Sequence, residues 1–272
     1  MELLRRVIYK LCRISPKCRR FLWHAWYNLI VNFDRDKELL FMNYGYSDIE
    51  PNDSPLLLQP AEEKYRCRIQ LYHHVAKAID MTGKEVLEVG CGCGGGAAYI
   101  ATHFGPAIMK GLDYSPRAIE ACKRYHAAVP NLSFVHGDAE ALPFDAGSFD
   151  IVVNVESSHS YRNPARFFKE VDRVLRPQGW FLIADFRGKS KIPEFRQQLQ
   201  DARFQLQREE NIAPNIVRAL ELDHDRKMGL IPQGLFKTPY QLFSGTKNSV
   251  TFKTFDSGEL EYLFFVMQKG RA

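Results

Sequence analysis

No stretch of this 272-residue sequence is expected to cross a bilayer. The apolar, aromatic run "FLWHAWYNLIVNF" (residues 21 to 33) is thirteen residues long and contains His24, whereas a spanning helix needs about 20 apolar residues. No signal peptide is expected either, because the basic N-terminus lacks an uninterrupted apolar stretch and a small-residue cleavage site. The six cysteines include no C-x-x-C pair and no cysteine–histidine spacing suited to zinc, so no metal site is predicted and a reducing, cytoplasmic compartment fits. Cys91 and Cys93 read as small fillers. Internal repeats and low-complexity tracts are also missing. The formal charge of +5 is modest and unevenly placed: Arg5, Arg6, Lys10, Arg13, Lys17, Arg19 and Arg20 precede residue 21, with Glu2 the one acid among them. The remainder is nearly balanced, which excludes a general nucleic-acid binder carrying a basic face on its folded domain.

An apolar fraction of 45% supplies a core for one main domain with an appended arm. Residues 1–64 read as an amphipathic helical arm followed by a loop-rich connector, and residues 65–272 as the domain proper. Basic residues followed by Trp23, Trp26 and Tyr27 suit peripheral contact with a membrane through residues 1–33; the alternative is a helix packed on its own domain. In "EEKYRCRIQLYHHVAKAI", Tyr65, Ile69, Tyr72 and Ala76 recur at helical spacing, so His73 and His74 read as packing residues. Strands are then predicted over 85–89, 107–113, 132–138, 149–156 and 179–186, alternating with helices to about His103, over 115–129 and over 164–176. That alternation predicts an α/β fold with a mostly parallel, Rossmann-like sheet covered on both faces. Residues 188–245 read as a helical lid without strands, shaping an acceptor pocket. "SVTFKTFDSGELEYLFFVMQK" reads as an antiparallel hairpin of two strands around Asp256-Ser257-Gly258, ending the sheet.

"VLEVGCGCGGGAAYI" packs five glycines into residues 90 to 96, between a strand-like and a helix-like run. Glycine tolerates positive φ and has no Cβ, so a ligand is expected to approach this turn directly. Gly90-x-Gly92-x-x-Gly95 matches a dinucleotide fingerprint, while Glu88-x-Gly90-x-Gly92-x-Gly94 matches an S-adenosylmethionine loop. Either ligand predicts an acid after the next strand to hold a ribose diol, and Asp113 fills that place. Asp138 decides between them, because an acid at the end of the third strand can accept from the exocyclic amine of adenine, with Ala139 and Glu140 following along the adenine edge. Glu88 adds weight, since an acid before the turn suits a cationic amino-acid ligand and would repel a pyrophosphate.

"EVGCGCG", "GLDYSP", "GDAEALPF" and "RVLRPQGWFLIAD", in this order and spacing over roughly residues 65 to 186, resemble the class I S-adenosylmethionine-dependent methyltransferases. More narrowly, "IQLYHHVA", "GCGCGGGAAYI", "NVESSHSY" and "ADFR" resemble the phthiotriolone/phenolphthiotriolone dimycocerosate methyltransferases, which O-methylate a hydroxyl of a polyketide-derived lipid. The resemblance implies S-adenosyl-L-methionine as cofactor, Tyr114 and Asn154 beside it, and a hydrophobic small molecule or lipid as acceptor. His159, in "NVESSHSYRN" after the fourth strand, lies where open α/β sheets bind ligands, and an imidazole titrates near ~6.5, close to working pH. It is therefore the expected general base, with Asp185 after the fifth strand orienting it; Glu156 is an alternative base or a cofactor contact. Two other readings stay open: a carbon methyltransferase of sterol or fatty-acyl type, and a membrane-associated ligand-binding module without turnover.

Overall fold

The structure, a computed structural model, describes residues 39–50, 55–224, 226, 247 and 249–270. After a short 3-10 turn the chain forms α1 (Arg66–Ala76), β1 (Glu85–Val89), α2 (Gly95–His103), β2 (Ile108–Asp113), α3 (Pro116–Tyr125), β3 (Leu132–His136) and β4 (Phe149–Val155). It continues through α4 (Pro164–Val174), β5 (Leu175–Gly188), α5 (Ile192–Asp201), β6 (Phe204–Asn211), α6 (Ala213–Leu222), α7 (Val250–Asp256) and β7 (Leu260–Lys269). The seven strands lie in the order β3-β2-β1-β4-β5-β7-β6. The first five are mutually parallel, and β7 runs antiparallel to both β5 and β6. Strand order reverses at β1/β4, and open α/β sheets bind ligands at the carboxyl ends of the strands around such a reversal.

Local sequence explains most elements. "FDIVVNV" in β4 is buried at every position except Asp150, as expected of a β-branched strand covered on both faces. In α4, Phe167, Phe168, Val171 and Val174 recur at helical spacing and are all buried. Ser115 caps α3 by accepting from the Ala118 N–H, and Asn163 caps α4 by accepting from the Arg166 N–H, each followed by proline at the first turn. One core cluster joins residues of α1, α2, α6 and α7 to one face of the sheet. A second joins α4 and α5 to the other.

Four expectations are corrected. Residues 188–245 are not strand-free, because Phe204–Asn211 forms the edge strand β6. "VTFKTFD" is the helix α7, opened by Ser249 accepting from Phe252 N–H, so Ser257-Gly258 turns from helix into strand; the antiparallel hairpin consists of β6 and β7, with α6 and α7 between them. β3 stops at His136, two residues short of Asp138, which forms an isolated bridge to Ala141. β5 runs on past Asp185 to Gly188, because its last residues pair with the start of β7. The helical arm expected over residues 1–33, the start of its connector and most of the lid after residue 224 lie outside the described residues.

Residues 39–47 form a strap rather than a loose connector. Leu40 O accepts from Gly95 N–H at 3.1 Å, Tyr46 N–H donates to Cys67 O at 2.8 Å, and Ser47 exchanges two hydrogen bonds with Asn215. Phe41 and Tyr46 are buried in the core.

Candidate active site

The predicted residues lie in or after the carboxyl-terminal halves of β1 to β5. The turn after β1 places Gly90, Gly92 and Gly94 at φ of 79°, 55° and 81°, a region L side chains rarely adopt. At Gly90 the steric demand is also direct, since a Cβ there would come within 2.3 Å of Ser157 Oγ. Asp113 braces the turn: one carboxylate oxygen accepts from Gly92 N–H at 2.9 Å, the other from Ser115 N–H at 2.8 Å. Burial raises Asp113 to about 6, against those backbone hydrogen bonds. Cys91 and Cys122 fill the space beneath the turn, and Cys122 Sγ donates to Gly92 O.

Glu88 is fully buried beside the turn. Oε1 accepts from Tyr72 OH at 2.7 Å, while Oε2 has no hydrogen-bond partner. Burial pushes this carboxyl up to about 7; Asp113 adds to the shift and the Tyr72 hydroxyl opposes it. Gly96 makes the Tyr72 contact possible, since a Cβ there would meet the tyrosine ring at 2.0 Å.

Tyr114 stands half-exposed after β2, its carbonyl within 3.1 Å of His136 Nε2. Asp138 accepts from Glu140 N–H in a local turn, and Ala139 is buried against Leu112 and Leu142. Glu140 Oε1 accepts from Arg162 and Asn163 N–H at 2.7 and 3.0 Å, so this turn is tied to the loop after β4. Asn154 is fully buried and donates to Val89 O at 2.9 Å and Ser157 Oγ at 2.7 Å; its Oδ1 has no partner.

His159 and Asp185 do meet. Ser158–Ser160 forms a 3-10 turn after β4, and His159 Nδ1 lies 2.8 Å from Asp185 Oδ1. With an ionised carboxylate as partner, Nδ1 carries the hydrogen and Nε2 is the proton-accepting nitrogen. Asp185 is fully buried, and burial alone would raise it. The attraction of His159 when it is protonated, the Arg187 charge and the hydrogen bonds from His159 and Ser158 prevail and hold it well below the usual carboxylate range. The imidazole keeps 31% of its side-chain surface exposed and packs on Phe186, with ring centroids 4.2 Å apart.

Sequence reasoning missed the surroundings of this pair. Phe186, Tyr44, Phe255 and Tyr262 form a continuous aromatic group, with neighbouring centroids 5.6 to 6.3 Å apart. Glu156 sits beside it at φ 47° and accepts from Tyr44 N–H at 2.8 Å and Tyr262 OH at 3.0 Å. Nothing in the strap sequence marked Tyr44. Arg187 followed Asp185 in "ADFR" but carried no periodic signal. His73 and His74 lie elsewhere, against Tyr99 and against Tyr46 and Glu210.

The cradle fits an S-adenosylmethionine cofactor: a buried acid with a bare oxygen for an ammonium group, a glycine turn whose two cysteine side chains are buried, and a carboxylate at the end of β2 for a diol. The comparisons agree. The methyltransferase domain family matches residues 87–183. The chain is 35% identical over 251 residues to the phthiotriol/phenolphthiotriol dimycocerosates methyltransferase of Mycobacterium leprae, covering 91% of this chain and 92% of that protein. It is 46% identical over 191 residues to the fatty-acid O-methyltransferase of Mycolicibacterium smegmatis, covering 70% and 69%. Among solved structures, geranyl diphosphate C-methyltransferase from Streptomyces coelicolor, bound to Mg2+, geranyl diphosphate and S-adenosyl-L-homocysteine, matches with a TM-score of 0.65. Its identity is 15%, over 91% of this chain and 98% of that one, so this last likeness concerns the fold.

Proposed function

The chain belongs to the S-adenosylmethionine-dependent methyltransferases, within the family of the phthiotriol/phenolphthiotriol dimycocerosates methyltransferases, and from that premise we propose that it methylates a hydroxyl of a hydrophobic, polyketide-like lipid with His159 as general base. The observation that carries the reading is the 2.8 Å contact between His159 Nδ1 and Asp185 beside an aromatic wall at the carboxyl end of the sheet. When bound, the cofactor supplies an electrophilic methyl group. Glu88 would hold its amino group, Asp113 its ribose diol and Asp138 its adenine amine, with Gly90, Gly92 and Gly94 leaving room for it.

The rest falls to this chain's own side chains. An alcohol is a weak nucleophile, and His159 Nε2 takes its proton as the new bond forms, a contribution of ~10²- to 10⁴-fold. Asp185 fixes the tautomer and steadies the imidazolium that results. Tyr44 and Phe186, half-buried over the buried rings of Phe255 and Tyr262, offer apolar surface to a long acceptor and keep water from the hydroxyl, and alignment itself contributes ~7–11 kcal/mol. Residues 1–33 would bring the enzyme to the membrane that holds such a lipid.

His159→Ala should lower kcat by ~10²- to 10⁴-fold with cofactor affinity nearly unchanged. The product labelled from radioactive methyl donor and a lipid extract should be a methyl ether. Near-full activity in that variant would refute the base. A second reading, carbon methylation, draws on Glu156 among aromatic rings, which suit a cationic intermediate. It requires turnover to depend on Glu156 and survive loss of His159.

A further inference from the structure

Among the described residues, Asp185 accepts hydrogen bonds from four donors and pairs with one cation. His159 Nδ1 and Phe186 N–H reach Oδ1 at 2.8 Å each; on Oδ2 are Ser158 Oγ at 2.6 Å, His159 N–H at 2.9 Å and Arg187 Nη1 at 3.1 Å. A buried carboxylate paired with histidine alone favours the imidazolium, because an opposite charge within a few ångströms stabilises the charged form. A base that is already protonated accepts nothing. The pair therefore needs a counterweight, and Arg187 is built into that position. Its guanidinium lies 4.3 Å from the centroid of the Phe195 ring, and its Nη1 donates to Phe186 O at 2.7 Å. Nη2 donates to Ser158 Oγ at 2.8 Å, and Ser158 passes its own hydrogen to Asp185. The side chain is 13% exposed, so solvent screens it weakly, and a guanidinium keeps its charge at every working pH.

We propose that Arg187 is a positioning residue that sets the basicity of the His159–Asp185 pair, offsetting the carboxylate's charge so that His159 rests in its neutral, proton-accepting form. This rests on the reading of His159 as the base. Among the described residues, the other titratable groups around the pair are Glu156 after β4, Tyr44 in the strap, Tyr161 in the loop and Tyr262 on β7. Burial raises all three tyrosines, so they stay neutral, and Glu156 is engaged by Tyr44 and Tyr262. Among the described residues, Arg187 is accordingly the fixed cation in contact with Asp185 that can oppose it.

The sign of the effect is defined. Removing a cation favours the protonated imidazole, so the His159 titration must move to higher pH. In Arg187→Met, which keeps the stem's packing on Phe195, the ring signal followed by NMR and assigned through its loss in His159→Gln should shift upward by about one pH unit. The acid limb of kcat/KM should move with it, costing roughly tenfold in rate at a pH below the limb and little above it. Arg187→Lys, which restores the charge, should recover most of the shift. Should the methionine variant not fold, Arg187→Gln makes the same comparison while keeping donors toward Ser158. An unmoved His159 titration in a folded variant overturns the inference. A titration that moves while the rate profile does not, together with turnover surviving in His159→Gln, overturns the base reading and leaves the electrostatic coupling in place.

Discussion

A carboxylate with one bare oxygen inside a core works against folding, and Glu88 is held there with its acidity pushed from an ordinary 4.5 up to about 7. The sign follows from proton linkage. The folded state binds the Glu88 proton more tightly than the unfolded chain does, so the associated stability is full at low pH and is lost as pH rises through about 7. Glu88→Gln should therefore stabilise the cofactor-free protein at pH 8 by about 2–3 kcal/mol and much less at pH 5, while weakening cofactor binding. Thermal melts at the two pH values, with calorimetry for the cofactor, check this; an equal gain at both would show that charge burial is not the cause. Asp113→Ala should weaken the cofactor roughly ten- to a hundredfold, since hydrogen bonds to a charged group contribute about 1.5–3 kcal/mol. The placing of Glu88 and Asp113 beside the glycine turn, and the meeting of His159 with Asp185, were legible in the sequence because each lies at a fixed offset from its motif, although β5 runs on past Asp185 to Gly188. Tyr44 and Tyr262 were not, since they reach Glu156 across 112 and 106 residues and only the folded sheet brings them there.

The elements divide in the same way. β1, β4 and α4 announce themselves by period, because each buries a regular set of apolar side chains. β6 does not: in "FQLQREEN" only Phe204 is buried and Leu206 is exposed, so the edge strand has no apolar alternation and its glutamines, arginine and glutamates read as helix. Backbone pairing with β7, irregular between Leu206 and Arg208, makes it a strand. α7 errs in the opposite direction, since its valine, threonines and phenylalanines favour strand while the Ser249 cap and one buried anchor, Phe255, hold a helix. The strap was unreadable for a third reason, as its hydrogen bonds are made to residues far along the chain. Its contact at Gly95 offers a test. A Cβ at that position would fall 2.4 Å from Leu40 O, while alanine is otherwise the best helix former. Gly95→Ala should leave the far-ultraviolet dichroism unchanged but speed amide exchange across residues 39–47 and reduce turnover. Unchanged exchange there would mean that the strap is held independently of α2.

At the scale of the whole molecule, the strap decides where the preceding residues act. No helix among the described residues is long and apolar enough to cross a membrane. The excess positive charge lies before residue 21, next to Trp23, Trp26 and Tyr27, while the rest of the chain is close to neutral. Leu40 is hydrogen-bonded at the N-terminus of α2, directly beside the glycine turn. At ~3.3–3.6 Å per extended residue, the few residues between position 33 and Leu40 span at most about 25 Å, so an arm seated in a membrane interface keeps the site's mouth near that interface. Each basic residue near an anionic surface contributes about 1 kcal/mol, an attraction that salt screens. Deleting residues 1–33 should thus abolish salt-sensitive binding to anionic liposomes and spare cofactor affinity. Turnover of a lipid acceptor presented in vesicles should fall far more than turnover of a short-chain, dispersed alcohol. If the truncated protein still binds vesicles, the basic and aromatic arm is not the anchor. If it loses the cofactor instead, the arm is an integral part of the domain, and the surface that meets the lipid must be sought around Tyr44 and Phe186.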